Sequence, residues 1–451
     1  MEAMRADRVM IAAPKSGSGK TIFTCSVLSV LKDSGERPTA FKCGPDYIDP
    51  MFHRNVIGVP SKNLDTFFTD EDTTLELFLR DGQGKLSVME GVMGLYDGLG
   101  GTREEGSSYH LAKVTKTPVI LVADAKGAAR SVAALLAGFL KYDTDRLIKG
   151  VVLNRTTSGM YGVLKPVIEE ELGVKAMGYI PEDPVFNLES RHLGLVLPAE
   201  TEDIRRKIKA MADIIKHTVD IKAIKRAAME AQPIGKSFYR KTMEPVTDSR
   251  PILAVARDEA FCFYYEDNLR LLEDFGARIE YFSPLANEPL PKGCRGLLLG
   301  GGYPEIYAEE LGRNKKTADS VRKAAAESLP MAAECGGFMY LHSSLEYEGK
   351  IFPMAGVLPG TCRYTGRLVR FGYVELKEKI SRFLPPGGSI KGHEFHYFDS
   401  DFNGGDCIAV KPASGRTYPC VNSGNGRWLG FPHLYYPSNP SFAENFVRSL
   451  K

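Results

Sequence analysis

Short apolar runs alternate, along the first half of the chain, with stretches whose apolar positions recur every three or four residues. The runs at 8–13, 39–42, 86–90, 118–123 and 149–153 predict strands, and the periodic stretches at 21–34, 131–140 and 161–172 predict helices. Strands alternating with helices imply βαβ units and a mainly parallel sheet. The unbroken run Val119-Ile120-Leu121-Val122 suits a strand covered on both faces. A Lys-rich helical pattern occupies 204–229, after which apolar periodicity is lost. It resumes with strands at 252–256, 278–282 and 296–299 and a helix at 264–275. No internal repeat or low-complexity segment interrupts the pattern. The reading is an α/β protein of two tandem domains, 1–232 and 251–451, joined by a linker at 233–250.

The length of 451 residues fits that division, because single cores stop growing near ~250–300 residues. Lys and Arg total 58 against 56 Asp and Glu, so a net charge of +2 excludes a generally polybasic nucleic-acid binder. No apolar run is long enough for a bilayer, and the N-terminus passes from charges into a short strand without a secretory apolar region. Eight scattered cysteines do not form a disulfide framework. The expectation is a cytoplasmic protein with neither nucleic-acid nor membrane partners.

Residues 13–21, APKSGSGKT, fall between the first strand and the first helix. Backbone N–H groups of such a loop cradle phosphates, and the helix dipole adds to the attraction. Ser16, Gly17, Ser18, Gly19, Lys20 and Thr21 are the candidate ATP-binding residues, with Lys20 reaching the β/γ-phosphates and Thr21 directed at Mg²⁺. Pro14 replaces the first glycine of the strict pattern. A glycine-rich cap would look similar, but the strand–loop–helix context favours nucleotide binding. Lys15 occupies the position of the second lysine of partition-type ATPases, which keeps a MinD/ParA-like switch ATPase as a rival reading.

FKCGPDYIDP (41–50) follows the second strand and EGVMGLYDG (90–98) the third. Acids at the C-terminal edge of a parallel sheet stand where ligands bind, and can complete a Mg²⁺ shell beside nucleotide oxygens. Either motif alone would suit a Gly/Pro/Asp turn; both at the edge that carries a phosphate loop favour function. These segments resemble the cobyrinate a,c-diamide synthase family, whose synthetase domain is similar to dethiobiotin synthetase and more distantly to MinD-type ATPases. The resemblance implies a P-loop NTPase-like first domain in which Thr21, Asp46 and Glu90 hold Mg·ATP. It further implies that Lys20 stabilises the transferring phosphoryl charge with Lys42 nearby, and that Lys42, Tyr47, Asp49 and Asp97 belong to the side facing a tetrapyrrole carboxylate.

In the second half, LPMAAECGG (329–337) reads as a strand running into a sharp turn at Cys335. A thiol at such an elbow, with a helix start behind it, is expected to be exposed and to have a lowered pKa. GGGYPE (300–305) ends another strand, so backbone N–H groups of Gly301, Gly302 and Gly336 could form an oxyanion hole. GFPHLYY (430–436) supplies a base, His433. The other seven cysteines lack the elbow, and Cys43, beside the GPDY motif, is read as packing. With ARDEAF (256–261), AECGGFMYL (333–341) and GHEFHY (392–397), the arrangement resembles a class I, flavodoxin-like glutamine amidotransferase domain of the cobyrinate/cobyric acid synthase type. In that class a Glu two residues after the catalytic His orients it; here the position is Tyr435, which leaves a Cys335–His433 dyad and implies weak glutaminase turnover. His393 and His396, three apart without a third ligand, are read as polar contacts shaping a domain interface and not as a metal site.

The resemblance implies a carbon–nitrogen ligase of cobalamin biosynthesis. ATP activates a carboxylate as acyl phosphate, L-glutamine hydrolysed at Cys335 supplies ammonia kept from bulk solvent, and the a and c acetates of cobyrinate become acetamides. Hydrogenobyrinate and Ni-sirohydrochlorin, amidated by similar enzymes, remain alternative substrates. A switch ATPase would need no glutaminase half, and a free-standing glutaminase no phosphate loop. The expected state is monomer or homodimer.

Overall fold

A computed structural model of the chain describes residues 4–187, 201–235 and 243–450. The chain forms two compact units, Met1–Arg240 and Lys241–Lys451. Of the expected linker at 233–250, residues 236–242 lie outside the described residues. Among the described residues no helix is long and apolar enough to cross a membrane.

The first unit is built on a seven-stranded sheet of β1 (Arg8–Ala12), β2 (Thr39–Cys43), β3 (Ser61–Leu64), β4 (Ser87–Glu90), β5 (Val119–Asp124), β6 (Ile148–Asn154) and β7 (Lys175–Ile180). The order is β3-β2-β4-β1-β5-β6-β7, and every pairing is parallel. All five residues of β1 are buried, as an unbroken apolar run requires when helices cover both faces. Arg8 opens that strand inside the protein, where its guanidinium donates to the carbonyls of Ala6, Thr115, Lys116 and Gln232. The strand order matters for function: β2, β4 and β1 are adjacent, so the segments that follow them lie side by side along one sheet edge.

The expected helix at 21–34 is α1, Lys20–Asp33. Two strands were not anticipated. β3, SKNL, carries too many polar residues to show a pattern, yet its Asn63 is buried and donates to Gly44 O and Asp46 O at 2.9 and 2.6 Å, fastening the loop after β2. β7 is interrupted by Gly178, whose φ of +132° and position 2.4 Å (from a notional Cβ) to Thr218 O admit no side chain. The single helical stretch expected over 204–229 is in fact two helices, Thr201–Thr218 and Ile221–Met229. The break forms where Val219 bridges Gly178 and Asp220 caps the second helix by accepting from Ala223 N.

The second unit has a six-stranded sheet that includes β8 (Ile252–Ala256), β9 (Arg278–Phe282), β10 (Cys294–Leu299) and β11 (Met331–Glu334). From edge to edge it runs Asn422–Gly424, Arg427–Gly430, β11, β10, β8, β9, parallel except at the Asn422–Gly424 edge. A four-stranded and a five-stranded sheet follow from the 342–434 stretch, for which the pattern had suggested no elements. Their strands are mostly antiparallel and differ in burial, Arg370–Glu378 being largely part-exposed and Ile390–His396 largely buried, so short alternations are hidden among turns. His433–Leu434 is the edge strand of the five-stranded sheet and pairs with Ile390–His396, setting His433 directly opposite His393.

Candidate active sites

The phosphate loop of the first unit turns on two glycines in the left-handed region, Gly17 at φ +74° and Gly19 at φ +94°. A Cβ on Gly19 would also meet the side chain of Asn154, which reaches across from β6 and donates to Ser18 O at 2.9 Å. Lys20 heads α1 and points back over the loop, donating to Met93 O at 2.5 Å and Lys15 O at 3.4 Å. Leu95 N donates to Ala13 O, so the EGVMG segment is clasped to the phosphate loop. Burial and the neighbouring Lys42 ammonium lower the Lys20 pKa to about 8. Lys15, Ser16 and Gly17 are exposed, whereas Ser18 is buried.

Glu90 ends β4 fully buried, and its Oε1 accepts from the Thr21 hydroxyl at 2.6 Å and from Lys42 Nζ at 2.7 Å. Its Oε2 lies 3.4 Å from His53 Nε2. Burial alone would raise the Glu90 pKa, but Lys42 and His53 outweigh it and hold the carboxyl well below its usual range. Lys42 is likewise buried; desolvation, which would lower its pKa, is outweighed by Asp49, Glu90 and Asp46, and the ammonium stays charged. Asp49 bonds Lys42 directly, while Asp46 approaches it only to 3.8 Å. Asp46 spends Oδ1 on Ile48 N (2.8 Å) and Asp49 N (3.1 Å), capping the short helix Ile48–Phe52. Tyr47 is buried at the start of that helix. Asp97 is exposed and accepts from Gly94 N at 2.8 Å, within electrostatic range of Lys20. Lys20, Thr21, Lys42, Asp49 and Glu90 thus form one charged cluster, with Asp46 and Asp97 at its margins.

Glu90→Gln should test that cluster. The amide still accepts from Thr21 but leaves the buried Lys42 one carboxylate short. Breaking a buried ion pair costs about 3–5 kcal/mol, and the low end applies because Asp49 and Asp46 remain. Urea unfolding should show that loss with an unchanged m-value; an unaltered midpoint would mean that Lys42 does not depend on Glu90.

In the second unit Cys335 occupies the turn after β11 at φ +44°, ψ −104°, a strained conformation of the kind found at reactive residues. Its N–H donates to Gly430 O at 3.0 Å, and Gly337 N donates to Gly300 O at 2.9 Å, locking the elbow to both neighbouring strand ends. The sequence predicts an exposed thiol with a lowered pKa, but Cys335 is only 8% exposed, and burial together with the Glu305 carboxyl pushes its pKa up. The helix behind it, Gly336–Leu341, is too short to offset that burial. Gly302 N lies 3.1 Å from where a Cβ on Gly336 would sit, and His433 Cε1 lies 2.4 Å from where one on Gly301 would sit. The three glycines and His433 therefore converge around the thiol's turn, and none of the glycines tolerates a side chain.

His433 is buried, and desolvation together with His396 lowers its pKa to about 3. Its ring stacks on His393 at 4.9 Å, and His393 Nδ1 lies 3.2 Å from the Tyr265 hydroxyl. His396 stacks on Phe431 at 4.1 Å. Both histidines are buried side chains beside the candidate base. Tyr435 turns away from His433 toward Asp267 Oδ2 at 3.4 Å. Sequence reading passed over Glu334, whose Oε2 stands 3.9 Å from His433 Nδ1, and His53 against Glu90. The signal for the first was in plain view, a carboxylate immediately before the nucleophile; His53 had none.

Residues 9–196 match the CobQ/CobB/MinD/ParA nucleotide binding domain, and 252–418 the CobB/CobQ-like glutamine amidotransferase domain. The chain is thus of the class that joins a P-loop nucleotide-binding domain to a glutamine amidotransferase domain. It is 41% identical over 393 residues to the cobyrinate a,c-diamide synthase of Caldanaerobacter subterraneus subsp. tengcongensis, spanning 86% of this chain and 85% of that one. Identity to the Listeria innocua cobyrinate a,c-diamide synthase is 38% over 446 residues, 96% of this chain and 97% of the relative. For that of Fusobacterium nucleatum it is 36% over 448 residues, 96% and 98%. The chain belongs to the cobyrinate a,c-diamide synthase family.

Proposed function

We propose that this chain is an ATP-dependent, glutamine-fed ligase that converts the a and c acetates of cobyrinate to acetamides in the cytoplasm. Residues 1–232 would be the amidoligase, 233–250 the linker and 251–451 the glutaminase. The observation carrying the reading is that one chain holds both an intact phosphate loop, with Thr21 and Glu90 paired at 2.6 Å, and an intact cysteine elbow.

A carboxylate is a poor electrophile. Its oxygen attacks the γ-phosphorus of ATP, ADP leaves, and an acyl phosphate forms; Lys20 and the loop amides hold the charge that spreads over the phosphoryl oxygens. Thr21, Asp46 and Glu90 offer oxygen donors only, the set Mg²⁺ takes beside phosphate oxygens. When bound, the ion would neutralise charge on the β/γ-oxygens. Lys42, Tyr47, Asp49 and Asp97 are assigned to the substrate side of this edge. In the glutaminase, the Cys335 thiolate attacks the glutamine amide, Gly301, Gly302 and Gly336 surround the developing oxyanion, and His433 returns the thiol proton to the departing ammonia. Water then cleaves the thioester to glutamate. Ammonia displaces phosphate from the acyl phosphate, leaving the acetamide.

The test is incubation with ATP, Mg²⁺ and glutamine on cobyrinate and Ni-sirohydrochlorin in parallel, followed by mass spectrometry. Two successive amidations of cobyrinate are expected. Amidation of Ni-sirohydrochlorin alone would keep the chemistry and replace the substrate; ATP hydrolysis without either product would sink the ligase reading.

A further inference from the structure

We propose that Glu334 is the acid partner of His433, a positioning residue that takes the place of the carboxylate missing at Tyr435. The inference rests on the dyad assigned above. Glu334 is the last residue of β11, 5% exposed, and its Oε2 lies 3.9 Å from His433 Nδ1. The residues flanking the histidine hold it there: the Leu434 backbone N–H donates to the carboxyl, and the Tyr436 hydroxyl lies 3.5 Å from Oε1. The same carboxyl lines a small cavity with Tyr264, Tyr265 and Asn268. With Nδ1 on the Glu334 side, Nε2 is the nitrogen assigned to the thiol proton.

The proton path then balances. The Cys335 S–H bond breaks, Nε2 takes the proton, and the imidazolium presents Nδ1–H to the Glu334 carboxylate. The proton leaves with ammonia when the amide C–N bond breaks, and Glu334 is unchanged. Because Glu334 immediately precedes Cys335, one strand end carries both nucleophile and acid, and a different sheet delivers the base.

Burial sets the charge state of each group separately. Burial raises Glu334 to about 8 and lowers His433 to about 3, so each ion is costly alone. An adjacent imidazolium and carboxylate offset one another's burial. The groups facing this pair are Tyr264, Tyr436 and Cys335 around the acid, and His393, His396 and Glu394 around the base. Glu394 is itself taken up by Tyr418 and by Lys411 at 3.1 Å. Glutaminase activity should therefore climb as pH rises through about 8, where Glu334 loses its proton.

The test uses the full chain carrying Glu334→Gln, with Glu334→Asp as the conservative variant. Glu334→Gln should lower glutamine-fed kcat by at least about 10-fold, leave KM for glutamine nearly unchanged, and abolish the alkaline rise. Glu334→Asp should recover part of kcat and the rise. Amidation fed by ammonium, which bypasses the thiol, reads the first unit, while an unchanged KM for glutamine and an unchanged thermal unfolding midpoint read whether the second unit is folded. A wild-type kcat and pH profile in Glu334→Gln would overturn the proposal, as would a parallel loss with ammonium, which would make the residue purely structural. If instead Cys335→Ala still uses glutamine, the dyad reading itself fails, whatever Glu334 does.

Discussion

Cys335→Ala should abolish glutamine-fed amidation while leaving amidation fed by ammonium at the wild-type level. Without the sulfur no thioester forms, and the remaining base and oxyanion donors have nothing to act on. Removing a covalent nucleophile costs about 10³-fold or more, or roughly 4 kcal/mol of barrier. The substitution deletes one atom and keeps a Cβ that already tolerates the φ of +44°. The elbow's anchors, Cys335 N to Gly430 O and Gly337 N to Gly300 O, are backbone bonds that alanine retains. Folding should be nearly unaffected, and thermal unfolding can verify that in the same preparation. Glutamate release and amide formation, assayed with each nitrogen source, decide the matter. Glutamine use within about tenfold of wild type would remove Cys335 from the mechanism.

What the sequence displayed and what it hid divide along a physical line. The phosphate loop, the two acid-bearing segments and the cysteine elbow are contiguous, and local backbone chemistry writes each into a few neighbouring residues. Their juxtaposition is not local. That GPDYIDP, EGVMG and the phosphate loop lie side by side depends on the order β2-β4-β1, which no periodicity encodes. β3 was missed because its buried polar residue serves the loop after β2 instead of the core. Glu334 was visible as a residue and invisible as a partner, because its tie to His433 spans two sheets. The thiol's environment was misjudged for the same reason. The elbow is local, but the burial and the Glu305 carboxyl that raise its pKa come from residues distant in sequence.

Lys20→Ala should give the complementary result, losing amidation with glutamine and with ammonium alike. Both nitrogen sources converge on the acyl phosphate, so a defect in phosphoryl transfer cannot be bypassed by supplying ammonia. Removing one preorganised donor to a developing anion costs about 10²–10³ in kcat, and Lys20 faces the most highly charged species of the cycle. The native protein should not be weakened. Without nucleotide the ammonium is buried against Met93 O and Lys15 O with Lys42 nearby, and its pKa of about 8 shows that desolvation opposes its charge. Alanine relieves that opposition, so the midpoint of thermal unfolding should hold or rise in the absence of ligand. Saturating Mg·ATP should raise the wild-type midpoint, since a ligand that binds only the native state stabilises it by RT ln(1 + [L]/Kd), and should raise that of Lys20→Ala far less. The two alanine variants then form a cross in which one loses a nitrogen source and the other loses the activated acid. Ammonium-fed amidation surviving in Lys20→Ala would mean that the phosphate loop serves something other than the ligase step, and the switch-ATPase reading would return.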